Sequence, residues 1–268
     1  MDMGADLFSL AGRRALVTGA SRGIGRAIAL AYARAGADLA VLARSVEHLQ
    51  TLADKIRAHG REAIVVTCDV AEAEDVSSAV ERVLQEFGHL DVLVNNAGGP
   101  VFNAPFLEIR PEGFLRVLEL NLMSVVRFCQ AVGSQMVERR KGSIINIDSI
   151  GATHPAPLVS PYCASKAAVV NLTQALAQEW AGAAVRVNCL SPGLIDTDIN
   201  RSLVEHPEVG RTMASVVPLG RWGHPGDLVG AAIWLASDAS AYVTGAVIPV
   251  NGGIGVVAPQ ALPAAPDR

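Results

Sequence analysis

Short apolar runs alternate with longer amphipathic stretches from residue 14 to residue 250. Arg14–Thr18, Asp38–Leu42, Ala63–Thr67, Leu90–Val94, Ser143–Ile147, Val185–Leu190 and Ala246–Val250 are rich in Val, Ile, Leu and Ala. Runs this short and this apolar predict strands buried on both faces. Between them, apolar residues recur at helical spacing. Ile24, Ile28, Ala31, Tyr32 and Ala35 mark a helix that starts at Gly23 and stops at Gly36, a favourable C-terminal cap. Ser45–His59 reads as a helix with Ser45 as its N-cap, and Ala73–Phe87 as one closed by Gly88. Pro111–Arg140 reads as a single long helix, with Pro111 in its first turn and the basic residues Arg139, Arg140 and Lys141 at its C-terminal end. Helices over Pro161–Ala181 and Pro225–Ala236 complete the set, and residues 192–224 read as irregular or partly helical. The alternation predicts an α/β fold: a single Rossmann-type, doubly wound parallel β-sheet with helices on both faces. No linker interrupts residues 1–257, which are expected to form one domain; residues 258–268, with three prolines, are expected to be a loose tail.

Composition narrows the classes of function. Half of the 268 residues are hydrophobic and 18% are charged, enough for a large core. A net charge of −4 and the lack of any basic block argue against a nucleic-acid partner. Cys68, Cys129, Cys163 and Cys189 are scattered without a CxxC pair, and read as reduced, buried packing residues. Met1–Leu10 carries Asp2 and Asp6 without a basic segment, unlike a secretory signal. The uncharged run Ala239–Pro266 is broken by Pro249, Asn251, Gly252 and Gly253, unlike a membrane span. A cytoplasmic protein with neither a membrane partner nor a metal site is expected.

The candidate chemistry sits around Tyr162 and Lys166. Four residues apart on a helix, they share a face. A neighbouring ammonium favours the phenolate and is expected to lower the tyrosine pKa from about 10. Such a tyrosine can exchange a proton with an alcohol or a carbonyl near neutral pH. Ser149 follows the strand Ser143–Ile147, which places its hydroxyl at a strand's carboxyl end. Upstream, Gly19, Gly23 and Gly25 form a GxxxGxG turn between the first strand and the first helix. Such a turn lets a pyrophosphate reach the positive end of the helix dipole. The second strand ends Leu42-Ala43-Arg44 with no acid to bind a ribose hydroxyl. Arg44 and Arg22 are expected to bracket a 2′-phosphate, which favours NADP(H) over NAD(H).

With these motifs the chain resembles the short-chain dehydrogenases/reductases from about Gly12 to Gly253. The shared signatures are TGxxxGxG from Thr18, NNAG at Asn95-Asn96-Ala97-Gly98, an asparagine at Asn121, Ser149 with Tyr162 and Lys166, and Pro192-Gly193 followed by Thr197. The resemblance implies an NADP(H)-dependent oxidoreductase acting on a small carbonyl or secondary alcohol. Tyr162 would be the general acid or base. Lys166 would lower its pKa and bind the nicotinamide ribose, Ser149 would orient the substrate oxygen, and Asn121 would hold a water in a relay behind Lys166. Gly19, Ser21, Arg22, Gly23, Ile24, Gly25 and Arg44 would hold the phosphates. Asp69 and Val70 would meet adenine, and Asn96, Ala97 and Gly98 would shape the cleft. Pro192, Gly193, Ile195 and Thr197 would lie along the nicotinamide.

The resemblance further implies a homotetramer that pairs the 111–140 and 161–181 helices. Its overall pattern is most like the 3-oxoacyl-carrier-protein reductases. The opening Leu7-Phe8-Ser9-Leu10 also resembles bacterial sugar-acid and polyol dehydrogenases, and both substrates stay open. The variable segment Leu194–Arg221 carries Arg201, His206, Arg211 and Met213, and the two arginines suit either an anionic substrate or solvent. A catalytically silent cofactor-binding scaffold is the alternative of another class, and the presence of Tyr162 and Lys166 argues against it. Two departures stand out. Asp148 occupies a position where many relatives have a small or hydroxyl residue, and Asn251 one where Asp is frequent. The second is expected to affect packing or a subunit interface. His154, between Ser149 and Tyr162, is either a substrate contact or a solvated loop residue.

Overall fold

The computed structural model describes residues 7–255. The first six residues and the expected tail over 258–268 lie outside them. Seven strands form one parallel sheet: β1 Arg14–Thr18, β2 Asp38–Ala43, β3 Ala63–Thr67, β4 Val92–Asn95, β5 Gly142–Ile147, β6 Val185–Pro192 and β7 Val247–Val250. Their spatial order is β3-β2-β1-β4-β5-β6-β7, with every neighbouring pair parallel. The major helices are α1 Gly23–Arg34, α2 Val46–Ala58, α3 Ala73–Phe87, α4 Pro111–Leu118, α5 Ser124–Arg139, α6 Ser160–Trp180, α7 Arg201–Glu205, α8 Pro207–Ser215 and α9 Val229–Ala236.

Strand alternation divides the core into two layers. Ala15, Val17, Leu39, Val41, Val92, Val94, Ile145 and Ile147 face α1, α2 and α9, where Ile28, Tyr32, Leu52 and Leu235 meet them. Leu16, Ala40, Leu42, Leu93, Ile144 and Val187 face the other way, toward Val80 and Val83 of α3, Phe128 of α5 and Val169 of α6. Both faces of the sheet are therefore dry, which is why the strands read as uninterrupted apolar runs.

Element ends move by one or two residues from the expected ones, as helix and strand ends commonly do. Two differences are larger. The long helix expected over 111–140 is interrupted by a π turn at Glu119–Met123. There the Asn121 amide binds the Val117 carbonyl at 3.0 Å, and the Ser124 hydroxyl binds the Leu120 carbonyl at 2.6 Å. Side chains thus satisfy carbonyls along the turn, which lets the helix carry an extra residue. Second, Ser45 stands at the start of α2 but does not cap it; its hydroxyl meets the His48 ring 3.1 Å away. Residues 192–224 are partly helical as expected, with α7 and α8 set among turns.

The strand order reverses between β1 and β4. The chain leaves β1 toward β2 and β3, then returns across the sheet to β4. The loops after β1 and β4 consequently diverge and open a crevice at the strands' carboxyl ends, where ligands of such sheets bind.

Candidate active site

The crevice is held together by Asn96. Its side-chain amide donates to the Thr18 carbonyl at 2.9 Å and the Gly19 carbonyl at 3.2 Å. In return, the Thr18 hydroxyl accepts the N–H groups of Asn96 and Ala97, both at 3.0 Å. The end of β4 is thereby stitched to the glycine turn. Gly25 has to be glycine here, because a Cβ would stand 2.4 Å from the Asn96 amide nitrogen and 2.6 Å from the Gly19 carbonyl. Thr18 was not assigned a role in the site; its signal is its place as the first residue of the TGxxxGxG signature. Asn95, the other asparagine of the pair, points into the core and donates to Asn146 at 2.8 Å, which donates to Thr173 of α6 at 2.8 Å.

The N-terminus of α1 is open to an anion. No side chain caps it, and no acidic residue lies in its first turn. Ser21, Arg22 and Gly23 border a groove of about 630 Å³ that Thr197, Asp198 and Arg201 close from the other side. Free N–H groups at a helix start, beside arginines, suit a diphosphate. At the end of β2, Arg44 reaches Asp69 at 3.7 Å, while Arg22 lies 4.0 Å from Asp198. The two arginines thus rest on different carboxylates instead of converging. Both are exposed, and ion pairs of this kind are weak enough for a phosphate to displace. Val70 is buried just after β3, beside Asp69, whose carboxylate also accepts the Ala71 N–H at 3.1 Å.

Ser149, Tyr162 and Lys166 come together at the carboxyl end of β5. The Ser149 hydroxyl accepts the Gly151 N–H at 3.1 Å, which leaves its own proton free to donate. The Lys166 ammonium is buried and donates to the Ile147 carbonyl at 2.8 Å. It lies 5.7 Å from the centre of the Tyr162 ring. Asn121 and Lys166 both border Gly98: a Cβ there would stand 2.5 Å from the Asn121 carbonyl oxygen and 3.6 Å from the Lys166 nitrogen. Asn121 is fully buried and clamps Gly99 through two bonds, of 2.8 and 3.1 Å.

The expected lowering of the tyrosine pKa is not what this geometry gives. Burial pushes the Tyr162 phenol up to about 12; Ser149 pulls against it, and the Asp148 and Cys163 charges add to it. Burial likewise brings Lys166 down to about 8, opposed by the Asp148 charge. With the ammonium turned to the Ile147 carbonyl, burial decides the direction for both groups.

On the far wall, Ile195 is buried and Pro192 ends β6. The backbone of Asn251 passes so close to Gly193 that a Cβ there would meet its Cα at 2.7 Å. Asn251 itself closes a local turn through bonds to the Ile254 carbonyl and the Gly253 N–H, at 2.8 and 3.0 Å. Arg201 pairs with Asp198, and Arg211 donates to the Pro207 carbonyl at 2.8 Å. Both are engaged on their own segment. His154 is exposed and contacts the Thr153 hydroxyl at 2.9 Å. All four cysteines are buried and free. Among the described residues no helix is long and apolar enough to cross a membrane.

The chain is similar to known proteins along nearly its whole length. Residues 19–255 match the family described as Enoyl-(Acyl carrier protein) reductase. The chain is 39% identical to a 2-dehydro-3-deoxy-D-gluconate 5-dehydrogenase of Pseudoalteromonas atlantica, over 92% of this chain and 97% of the relative. It is 38% identical to a 3-oxoacyl-(acyl-carrier-protein) reductase FabG of Staphylococcus aureus, over 90% and 98%. Among solved structures, a gluconate 5-dehydrogenase of Burkholderia cenocepacia J2315 in complex with NADP and tartrate superposes with a TM-score of 0.90 at 38% identity. That match covers 95% of this chain and 99% of the other.

Proposed function

The chain belongs to the short-chain dehydrogenase/reductase family, and from that premise we propose that it interconverts a secondary alcohol and a ketone with NADP(H). The observation that carries the reading is the junction of Ser149, Tyr162 and Lys166 beside an open helix N-terminus. Bound NADP(H) would supply or accept the hydride. The Asn96-stitched glycine turn and the start of α1 would hold its diphosphate. Arg44 and Arg22 would meet its 2′-phosphate, and Asp69 and Val70 its adenine. Ala97, Gly98, Pro192, Gly193, Ile195 and Thr197 would border the nicotinamide.

The protein's own task is then proton management and orientation. Ser149 has an unspent hydroxyl proton, which it donates to the substrate oxygen. Tyr162 passes the proton to that oxygen in reduction and takes it in oxidation. Lys166 replenishes Tyr162 from a buried position, and Asn121 fixes the Gly98–Gly99 corner beside it and supports the relay water.

Two substrate classes follow from the relatives. Sugar acids and polyols are favoured, since a gluconate-type dehydrogenase and the tartrate-bound structure are both close to this chain. A 3-oxoacyl thioester is the second reading, supported by the 38% identity to FabG. The test is consumption of NADPH and NADH by purified protein against keto-sugar acids, polyols, 3-oxoacyl thioesters and simple ketones. Turnover confined to thioesters would overturn the first class. We also propose a cytoplasmic homotetramer. Phe106, Leu107 and Leu115 present an exposed apolar patch at and just before α4, and light scattering of Leu107→Asp should show a smaller assembly if that patch is an interface.

A further inference from the structure

Asp148 is a charge without a structural reason. It lies between the last residue of β5 and Ser149, and is 3% exposed. Neither carboxylate oxygen makes a hydrogen bond of proper geometry, although the Ser191 hydroxyl and the Ser149 amide stand near enough to draw its charge. A buried carboxylate without partners is costly and calls for an explanation.

Strand alternation supplies one. Asp148 shares the face of Asn146, and Asn146 reaches Thr173 of α6. On that face its charge acts on Lys166 and Tyr162 from α6 and on Cys189 from β6. The Lys166 ammonium is tied to the Ile147 carbonyl, the peptide group that joins Ile147 to Asp148. Building on the reading of Tyr162 and Lys166 given above, we propose that Asp148 is a positioning residue for proton transfer: a buried carboxylate set directly behind the peptide group that anchors the Lys166 ammonium.

The signs agree for both groups. A nearby negative charge disfavours loss of a proton from an ammonium and from a phenol alike. Removing it should therefore move the alkaline limb of ketone reduction, which needs the protonated phenol, to lower pH. It should also move the acid limb of alcohol oxidation, which needs the phenolate, to lower pH. A merely structural defect would instead scale the rate by one factor at every pH. Cys189 of β6 and Cys129 of α5, which lie in the same core layer, are both pushed up to about 12 by burial and stay neutral through the working range. Asp148 itself is raised to about 6 by burial, so its influence should fade below that pH.

Asp148→Asn keeps the shape and removes the charge, and Asp148→Ser serves if the amide disturbs folding. The chain has three lysines, Lys55, Lys141 and Lys166. Carbon-13 labelling at lysine Cε therefore gives a simple spectrum, in which Lys166→Met assigns the relevant signal. The free protein should show the Lys166 midpoint falling by about one pH unit in either variant, which is about tenfold in proton affinity. Alcohol oxidation, read near pH 8 where the phenolate is scarce, should rise about three- to tenfold, while NADPH-dependent reduction at pH 6 changes less than about twofold. In wild type, the Lys166 signal should carry a second, smaller inflection near pH 6 as Asp148 takes up its proton. An unmoved midpoint, or a missing inflection in wild type, would overturn the proposal. A Tyr162→Phe protein as active as wild type would overturn the reading of Tyr162 instead, and the lysine titration separates the two failures.

Discussion

Asn96→Ala tests what holds the cofactor crevice open. The substitution deletes the bonds to the Thr18 and Gly19 carbonyls, at 2.9 and 3.2 Å, while the main-chain bonds to the Thr18 hydroxyl survive. At about 0.5–1.5 kcal/mol net for each lost bond, stability should drop by about 1–3 kcal/mol. The larger effect should be on NADPH affinity, because the glycine turn loses the side-chain bonds that hold its Thr18 and Gly19 carbonyls. An affinity lower by about tenfold corresponds to about 1.4 kcal/mol of lost preorganisation. Urea unfolding would report the first quantity and NADPH fluorescence titration the second. A second substitution sharpens the reasoning. Gly25→Ala should abolish tight NADPH binding, since its Cβ falls 2.4 Å from the Asn96 amide and 2.6 Å from the Gly19 carbonyl. Adding Asn96→Ala removes only the first clash, so the double variant should remain as poor as Gly25→Ala alone. Wild-type affinity in Asn96→Ala, or full recovery in the double variant, would refute this picture of the turn.

Two other perturbations follow from the charges. Arg44→Asp should weaken NADPH by about tenfold and shift preference toward NADH, while the exposed ion pair to Asp69 contributes too little for its loss to unfold the protein; an unchanged ratio of the two affinities would mean that Arg44 does not meet the phosphate. Asp91 is almost fully buried beside β4, 3.1 Å from both the Arg14 N–H and the Arg139 guanidinium. Burial works against its charge, but these partners outweigh it and hold the carboxyl below its usual range. A depressed carboxyl stabilises the fold above the ordinary value of about 4, and that contribution is lost as pH falls through the folded value. Asp91→Asn should therefore cost about 1–3 kcal/mol at pH 7 and progressively less below about pH 4, read from urea midpoints at both pH values.

Much of this molecule is legible in its sequence because strands buried on two faces leave little freedom in the pattern. All seven apolar runs are strands, and the helices between them fall where the spacing places them apart from the break at Glu119–Met123. What escaped depends on contacts between distant residues. The π turn at Glu119–Met123 exists because Asn121 turns inward to Gly99 and Val117, and no local signal distinguishes such an asparagine from one in a regular helix. Ser45 has the right type and position for a cap, yet His48 one turn on engages its hydroxyl. The spacing of Tyr162 and Lys166 foretold that they would be neighbours. It did not foretell that Lys166 turns to the Ile147 carbonyl, or that burial governs both protons, because a motif carries no depth. Thr18 opens the TGxxxGxG signature, but its role was not legible for a related reason: its hydroxyl matters only once β4 lies beside β1.

The most direct measurement is NADPH consumption by wild type and by Tyr162→Phe on the best substrate of the panel, alongside NADPH binding to each. The geometry predicts that the variant binds NADPH as wild type does and turns over at least about a hundredfold more slowly, the scale of a lost general acid. Equal turnover by the two proteins would show that Tyr162 does not carry the proton, and would remove the basis for reading this crevice as the catalytic site.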